Sequence, residues 1–378
     1  TDKGEKIMKR KKIVFVKPIM TQPRYHFDRT LELSKYFDIE WIIGWKLNEN
    51  DIYPESQDNH KINFLGEGKP RRKFKGAWDQ FLFTFKAVSN LKKINPDLIV
   101  IHSDRMNIFY PILYDKNKFV MMTFTPAVNP SKYKRAFWDL YERLSFVGYK
   151  RFLIGTEPMI QAFHLQKKKT YLVRWGMNPI SIKSKNFDHI RMLYLGTLTG
   201  RDIHKTIYGL KEYLASNPEV EVERYDIIGT GRKEYINLIE NAIKETGLSN
   251  IIHLHGYLND IDIIPFFDEA NVGVAFSPKT EYYRNNISTK LYEYLLSGIP
   301  AIVIDKTENK KIINDQNGIL IDDNIHSFAR GLHLMAQKFS SYSSEEIMKT
   351  VEKESIAYQV KYDIVPTFNN IIDEIENN

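Results

Sequence analysis

Apolar positions in this chain fall into two rhythms. Short unbroken runs, KIVFV from Lys12 to Val16, IEWIIGW, KINFL, LIVIH, FVMMT, RFLI, RMLYL, VERYDII, IIHLH, VGVA, AIVI and GILI, have the length and the content of β-branched and aromatic residues that strands require. Between most of them lie longer stretches whose apolar residues recur every three to four positions. Tyr25–Phe37 is one, and the residues after Arg201, Gly231 and Ser288 are others. Alternation of strand and helix at this spacing predicts parallel sheets covered by helices on both faces.

Two breaks in the pattern divide the chain. LVRWGMNPISIKSKNFDHIR loses periodicity around Gly176, Asn178 and Pro179 and reads as a linker. Domains are therefore expected over 8–176 and 190–355, with 356–378 as a terminal helical segment.

The most informative stretch runs from Thr289 to Asp322. Leu291, Tyr294 and Leu295 stand at helical spacing, leaving Lys290 and Glu293 free of that face. Gly298 and Pro300 end the helix, and AIVI follows as a strand covered on both sides. In an open α/β sheet the crevice beyond the strand carboxyl ends takes the ligand, and a helix N-terminus there favours an anion such as a diphosphate. Glu293, one turn in, is placed for ribose hydroxyls.

Composition narrows the field. With 378 residues the chain can bury two cores, and 43% hydrophobic with 27% charged residues is an ordinary globular balance. The absence of cysteine excludes disulfides, thiolate metal sites and cysteine catalysis, and makes the cytoplasm the expected setting. No apolar run approaches the roughly 20 residues of a membrane-spanning helix. A net charge of +7 points to phosphates or an acidic membrane surface. Two segments sharpen the second option. Trp78, Phe81, Leu82 and Phe85 lie beside Arg71, Arg72, Lys73, Lys75 and Lys86, and YKRAFWDLYERLSFVGYKR is similarly basic and aromatic. Each reads either as an interfacial helix on anionic lipid or as a helix whose aromatic side is core. No RNA-binding or helix-turn-helix signature accompanies the charge, so no nucleic-acid partner is expected.

Gly229-Thr230-Gly231 after a strand is compatible with a dinucleotide fold, but Glu234 stands where the third glycine would be, against a nicotinamide cofactor. His253 and His255 alternate along one strand face without an adjacent acidic ligand, so no metal is expected.

KLYEYLLSGIP closely resembles the donor-binding segment of the retaining, nucleotide-sugar-dependent glycosyltransferases of family 4 (group 1), which have the GT-B fold. The resemblance extends over Arg191–Asn378 and, in outline, over the first half. It implies two Rossmann-like doubly wound domains facing a central cleft, the first on the acceptor side and the second binding nucleotide sugar. The last helix would cross back to the N-terminal domain, burying Tyr358, Tyr362, Ile364 and Phe368.

By the same resemblance Arg201, Lys290 and Glu293 are the candidate catalytic residues. Gly196, Thr197, Gly229, Gly231, Tyr257, Asn285, Ser288 and Thr289 are expected around the donor, and His102 and Thr125 on the acceptor and sugar side. Three positions depart from the family pattern. Thr125 stands for a histidine, Thr197 for the first of two diphosphate-clamping cations, and Asn285 for a first glutamate; Lys290 or Arg284 could replace the missing cation.

The expected activity is metal-independent, retaining transfer of a hexose from a UDP- or GDP-sugar to a hydroxyl of a saccharide or lipid-linked saccharide, in surface polysaccharide or glycolipid synthesis. No cofactor is implied beyond the nucleoside diphosphate sugar, which is a substrate. The anionic inner face of the membrane is an expected partner surface. A nucleotide-sugar epimerase of the same fold, and a non-catalytic nucleotide-sugar or polysaccharide-binding subunit, remain as alternatives.

Overall fold

The computed structural model describes residues 10–20, 23–47, 53–66, 73–102, 106–123, 140–155, 157–173, 176–279 and 289–377, with the side chains of 73–75 and 158 excepted. The chain divides into two compact units, residues 1–176 with 356–378, and residues 177–355.

Unit 1 is built on seven parallel strands: β1 (Lys12–Met20), β2 (Asp38–Lys46), β3 (His60–Phe64), β4 (Leu98–His102), β5 (Phe119–Thr123), β6 (Arg151–Ile154) and β7 (Lys169–Leu172). Their spatial order is β3-β2-β1-β4-β5-β6-β7, so the direction of winding reverses between β1 and β4. Helices α1 (Pro23–Leu33), α2 (Lys73–Ile94), α3 (Tyr110–Leu113) and α4 (Glu157–Ala162) lie among them in sequence. Because side chains alternate along a strand, Ile13 and Phe15 enter one core with Ile39, Trp41 and Val100, while Val14 and Val16 enter another with Ile42, Ile99 and Ile101.

The first strand is longer than its apolar run suggests, continuing through KPIM to Met20. Its β4 partner pairs only with Ile13–Val16, leaving an open edge where the missing donor of Pro18 is tolerated.

On α2 the core face is Phe83, Ala87, Val88 and Leu91. Trp78, at 54% exposure, and also Leu82 and Phe85 face outward, so the reading that makes this aromatic side core is corrected. Helices carry apolar residues at the same spacing on either face, and α2 has enough of them for two stripes. Of the second basic and aromatic segment, residues 133–139 lie outside the described residues. The helix at 140–145 exposes Leu140 and Leu144.

Unit 2 is a six-stranded parallel sheet of β8 (Ile190–Leu195), β9 (Val222–Ile228), β10 (Ile252–Gly256), β11 (Val272–Ala275), β12 (Ala301–Ile304) and β13 (Gly318–Ile321). Its order is β10-β9-β8-β11-β12-β13, with the reversal between β8 and β11. The helices are α5 (His204–Ala215), α6 (Lys233–Thr246), α7 (Ile264–Glu269), α8 (Thr289–Leu296), α9 (Ile325–Gln337) and α10 (Ser344–Thr350). Residues 177–189, read as linker, are strapped onto this unit. Ser297 Oγ accepts from Ile180 N at 3.0 Å, Lys185 N donates to Ser344 Oγ at 2.9 Å, and Lys185 Nζ donates to the Phe267 carbonyl at 2.6 Å.

The terminal segment returns to unit 1 as α11 (Ile356–Gln359), a π-helical turn (Val360–Ile364) and α12 (Val365–Glu376). Val360, Ile364, Phe368, Ile371 and Ile372 join the core of Phe15, Phe37 and Trp41. Glu374 holds Arg151 at 3.1 Å and also engages Lys169 and Tyr171. Tyr358 is half-buried and Tyr362 is 54% exposed. Val360, Ile364 and Phe368 form the buried stripe, and Tyr362, two positions from the first two, falls on the opposite side of the helix.

Candidate functional site

The strand-order reversal between β8 and β11 is where an open α/β sheet leaves a crevice, and the residues of interest in unit 2 surround it. The loops after β8 and β9 are fastened together. Gly196 N donates to the Ile228 carbonyl at 2.8 Å, Leu198 N to the Thr230 carbonyl at 3.0 Å, and Arg232 N to Thr199 Oγ1 at 2.9 Å. This approach demands glycine twice. Gly196 and Gly229 sit at φ 141° and 151°, and a Cβ on Gly229 would lie 1.8 Å from the Gly196 carbonyl oxygen.

A Cβ on Gly196 would lie 2.0 Å from both Cε and Nζ of Lys290, in the first turn of α8. The lysine therefore crosses bare backbone. Its ammonium stands 4.7 Å from the centre of the Tyr194 ring and 3.4 Å from the Tyr194 hydroxyl. That hydroxyl donates to the Thr197 carbonyl at 2.7 Å, while Leu195 N donates to the Tyr294 hydroxyl at 2.9 Å, tying α8 to the end of β8. Burial above all, with the charges of Arg201 and Lys306 added and Glu293 opposing, lowers the Lys290 pKa to about 7. Glu293 is only 2% exposed. The whole of Leu291–Leu296 is buried with it, so α8 is apolar-packed on all sides and carries its carboxylate inside.

Arg201 follows Gly200 in the β8 loop and is half-buried. Its charge reaches both Lys290 and Lys306. Thr197, where the resembling family has a cation, is exposed, its hydroxyl 3.5 Å from the Thr230 carbonyl. Tyr257 stands 71% exposed just past β10, and Gly229 N donates to the neighbouring Gly256 carbonyl at 2.7 Å. Gly231 packs against Thr199, and Thr289 opens α8. Thus Gly196, Thr197, Arg201, Gly229, Gly231, Thr289, Lys290 and Glu293 come together at one crevice, with Tyr257 at its β10 side. Asn285, Ser288 and Arg284 lie outside the described residues, as does Thr125 in unit 1.

Lys306 is a charged residue at this place that pattern reading passes over. It follows β12, is 9% exposed, and donates to Ser277 Oγ beyond β11. Burial chiefly, then the Arg201 charge, lowers its pKa to about 8.

His255 of β10 has a structural partner. His255 Nε2 lies 2.7 Å from Asp226 Oδ1, and Arg224 Nε lies 2.7 Å from the other carboxylate oxygen. Among the described residues no group of three or more His, Cys, Asp or Glu is arranged to hold a metal ion.

In unit 1, His102 closes β4 at that sheet's own reversal. Its ring stacks on Trp41, centroids 5.7 Å apart, and meets His26 edge-on at 4.8 Å. Lys17 Nζ lies 3.1 Å from His26 Nε2. Burial first, then the charges of Lys17 and Arg29, depress both histidines well below the ordinary value. Lys17 lies on β1, and His26 and Arg29 lie on α1, the helix that follows it, so all three belong to elements beside this sheet's reversal.

Residues 191–338 match the family model described as Glycosyl transferases group 1. Among solved structures, sucrose-phosphate synthase from Thermosynechococcus elongatus is similar at TM-score 0.66 and 14% identity, covering 96% of this chain and 100% of that one. Alr3699/HepE of Anabaena, solved in complex with UDP, gives 0.66 at 12% identity over 95% and 100%. The lipopolysaccharide outer core galactosyltransferase WaaB, in its apo form, gives 0.62 at 17% over 96% and 99%. These likenesses establish the GT-B fold. No curated protein matches the sequence.

Proposed function

From the premise of a GT-B chain whose residues 191–338 match the group 1 glycosyl transferases, we propose a retaining, metal-independent transferase. It moves a hexose from a nucleoside diphosphate sugar to a hydroxyl of a saccharide or lipid-linked saccharide. The observation that carries this reading is the convergence of Arg201 and Lys290 with the buried carboxylate of Glu293 at the β8/β11 reversal.

Charge develops on the departing diphosphate, and preorganised cations stabilise it most where water is excluded. Arg201 and Lys290 supply that stabilisation, and a diphosphate restores the lysine to its charged form. Glu293 accepts from the ribose hydroxyls. Tyr257 offers an exposed ring beside the Gly229 turn for the base. The acceptor proton passes to the leaving phosphate oxygen on the same face of the sugar, so no carboxylate base is needed. UDP is the leading nucleotide, supported by the UDP and UDP-glucose complexes of the Anabaena neighbour.

The test is thermal stability with UDP, GDP, ADP, CDP and NAD. A ligand at about 100 times its dissociation constant adds about 2.7 kcal/mol. A shift with UDP or GDP alone, followed by product analysis with and without acceptor, supports transfer. Donor converted without acceptor supports the epimerase alternative, and no shift with any nucleotide sinks the donor reading.

For the acceptor, a membrane surface is favoured by one observation. Trp78, Leu82 and Phe85 of α2 are exposed, Phe81 meets Phe109 edge-to-face at 5.4 Å, and Ile108, Ile112, Leu140, Leu144 and Val147 are exposed nearby in the chain. Gly148 would place a Cβ 2.9 Å from Pro111, which sets the second of these helices beside α3. Exposed Lys86 and Arg143 accompany this surface, a composition suited to anionic lipid. Among the described residues no helix is long and apolar enough to cross a membrane.

A further inference from the structure

Resting on the donor reading above, we infer that Lys306 is a third ligand of the donor's diphosphate. It supplies, from the end of β12, the positive charge that Thr197 lacks in the loop after β8.

Its position is built. β12 pairs in register with β13 to Ile304, and Asp305 N continues that ladder to the Ile321 carbonyl at 2.8 Å. The chain then turns at once, with Asn309 Nδ2 donating to the Ile304 carbonyl at 2.8 Å and Lys310 N to the Lys306 carbonyl at 3.0 Å. Lys306 is thereby fixed at the carboxyl end of the sheet, its stem buried and its ammonium on Ser277 Oγ, one strand from the reversal.

The electrostatic surroundings complete the case. Arg201 and Lys279 face Lys306 as like charges, with Asp323 opposing them. Lys306 in turn acts on Lys290 together with Arg201, where Glu293 opposes. Three cations delivered by three different elements, the β8 loop, α8 and the β12 turn, thus share one field. Burial and the neighbouring like charges both disfavour the ammonium form of Lys306, and an anion bound beside it favours that form. A diphosphate carries enough negative charge for all three. The dipole of Ser277 then keeps the lysine aimed when the site is empty.

The experiment is calorimetric titration of UDP, GDP and uridine into wild-type protein and the K306M, K306R and K306M/T197R variants at pH 8. K306M is expected to bind the diphosphate roughly 10-fold to 100-fold more weakly, with uridine affinity unchanged. K306R is expected to stay near wild type, and T197R to recover part of the loss. Run in buffers of different ionisation enthalpy, K306M also takes up fewer protons on binding. K306M affinity for the diphosphate equal to wild type, or equal losses for diphosphate and uridine, overturns the assignment while leaving the donor reading standing. Wild-type protein that binds neither nucleoside diphosphate overturns both.

Discussion

Lys290 lies across Gly196 so closely that a methyl group on the glycine would stand 2.0 Å from the lysine's ammonium nitrogen. The bare backbone is therefore part of how the cation is placed. Gly196→Ala is expected to cost about 1–3 kcal/mol of stability, because φ 141° is a region side chains avoid. It should also push Lys290 aside and weaken diphosphate binding. In the Lys290→Ala background the same glycine change should lose little further affinity, since the two act through one contact. Independent, additive losses would refute the coupling.

Glu293 is assigned to the ribose. Glu293→Ala should weaken UDP binding by roughly 1–3 kcal/mol, and the loss should shrink when 2′-deoxy-UDP is the ligand. A variant equally impaired for both ligands has lost something other than a ribose contact.

Donor binding should carry a proton signature. In the empty protein Lys290 and Lys306 have pKa values lowered to about 7 and about 8, chiefly by burial. A bound diphosphate raises both, so protons are taken up on binding and affinity falls as pH rises from 7 to 9. At pH 8, where Lys290 is mostly and Lys306 about half deprotonated, the uptake should be roughly one and a half protons. Zero uptake across that window contradicts the placement of both lysines at the diphosphate.

Unit 1 should be the acid-labile half. Burial lowers His60 to about 4 and sets His26 and His102 well below their ordinary value. The unfolded chain therefore binds more protons than the folded one below about pH 6.5, and stability drains away as pH falls toward 4. His60 alone accounts for on the order of 3 kcal/mol. Urea unfolding between pH 4.5 and 7 should show this slope, and His60→Gln should flatten it. A slope unaltered by the substitution removes His60 from the account.

Replacing Trp78, Leu82 and Phe85 together by serine should abolish sedimentation with anionic vesicles while leaving the unfolding midpoint within a few degrees, because these side chains already face water. Wild-type protein that stays in the supernatant at low salt would end the membrane argument.

The fold was legible because its strands are short apolar runs and its helices periodic, and the Thr289–Asp322 stretch holds Thr289, Lys290 and Glu293 of the candidate site on one helix. What escaped was set by neighbours distant in sequence. Lys306 looks like any lysine in a turn until β11 places Ser277 against it. His255 shows no acidic partner along its own strand, yet β9 brings Asp226 to 2.7 Å. The outward face of α2 was ambiguous because two apolar stripes share one helix. Tyr362 faces water because it stands two positions from Val360 and Ile364, whose i,i+4 stripe takes the core.

The return of residues 356–378 to the core of Phe15, Phe37 and Trp41 makes unit 1 discontinuous in the chain, whereas unit 2 is continuous. During synthesis from the N-terminus, unit 2 has all its residues available before unit 1 does. The nascent first unit must wait with its apolar sheet face uncovered until residues 356–378 emerge. A chain stopped at 355 would keep all of unit 2 and still be prone to aggregate through the half that was made first.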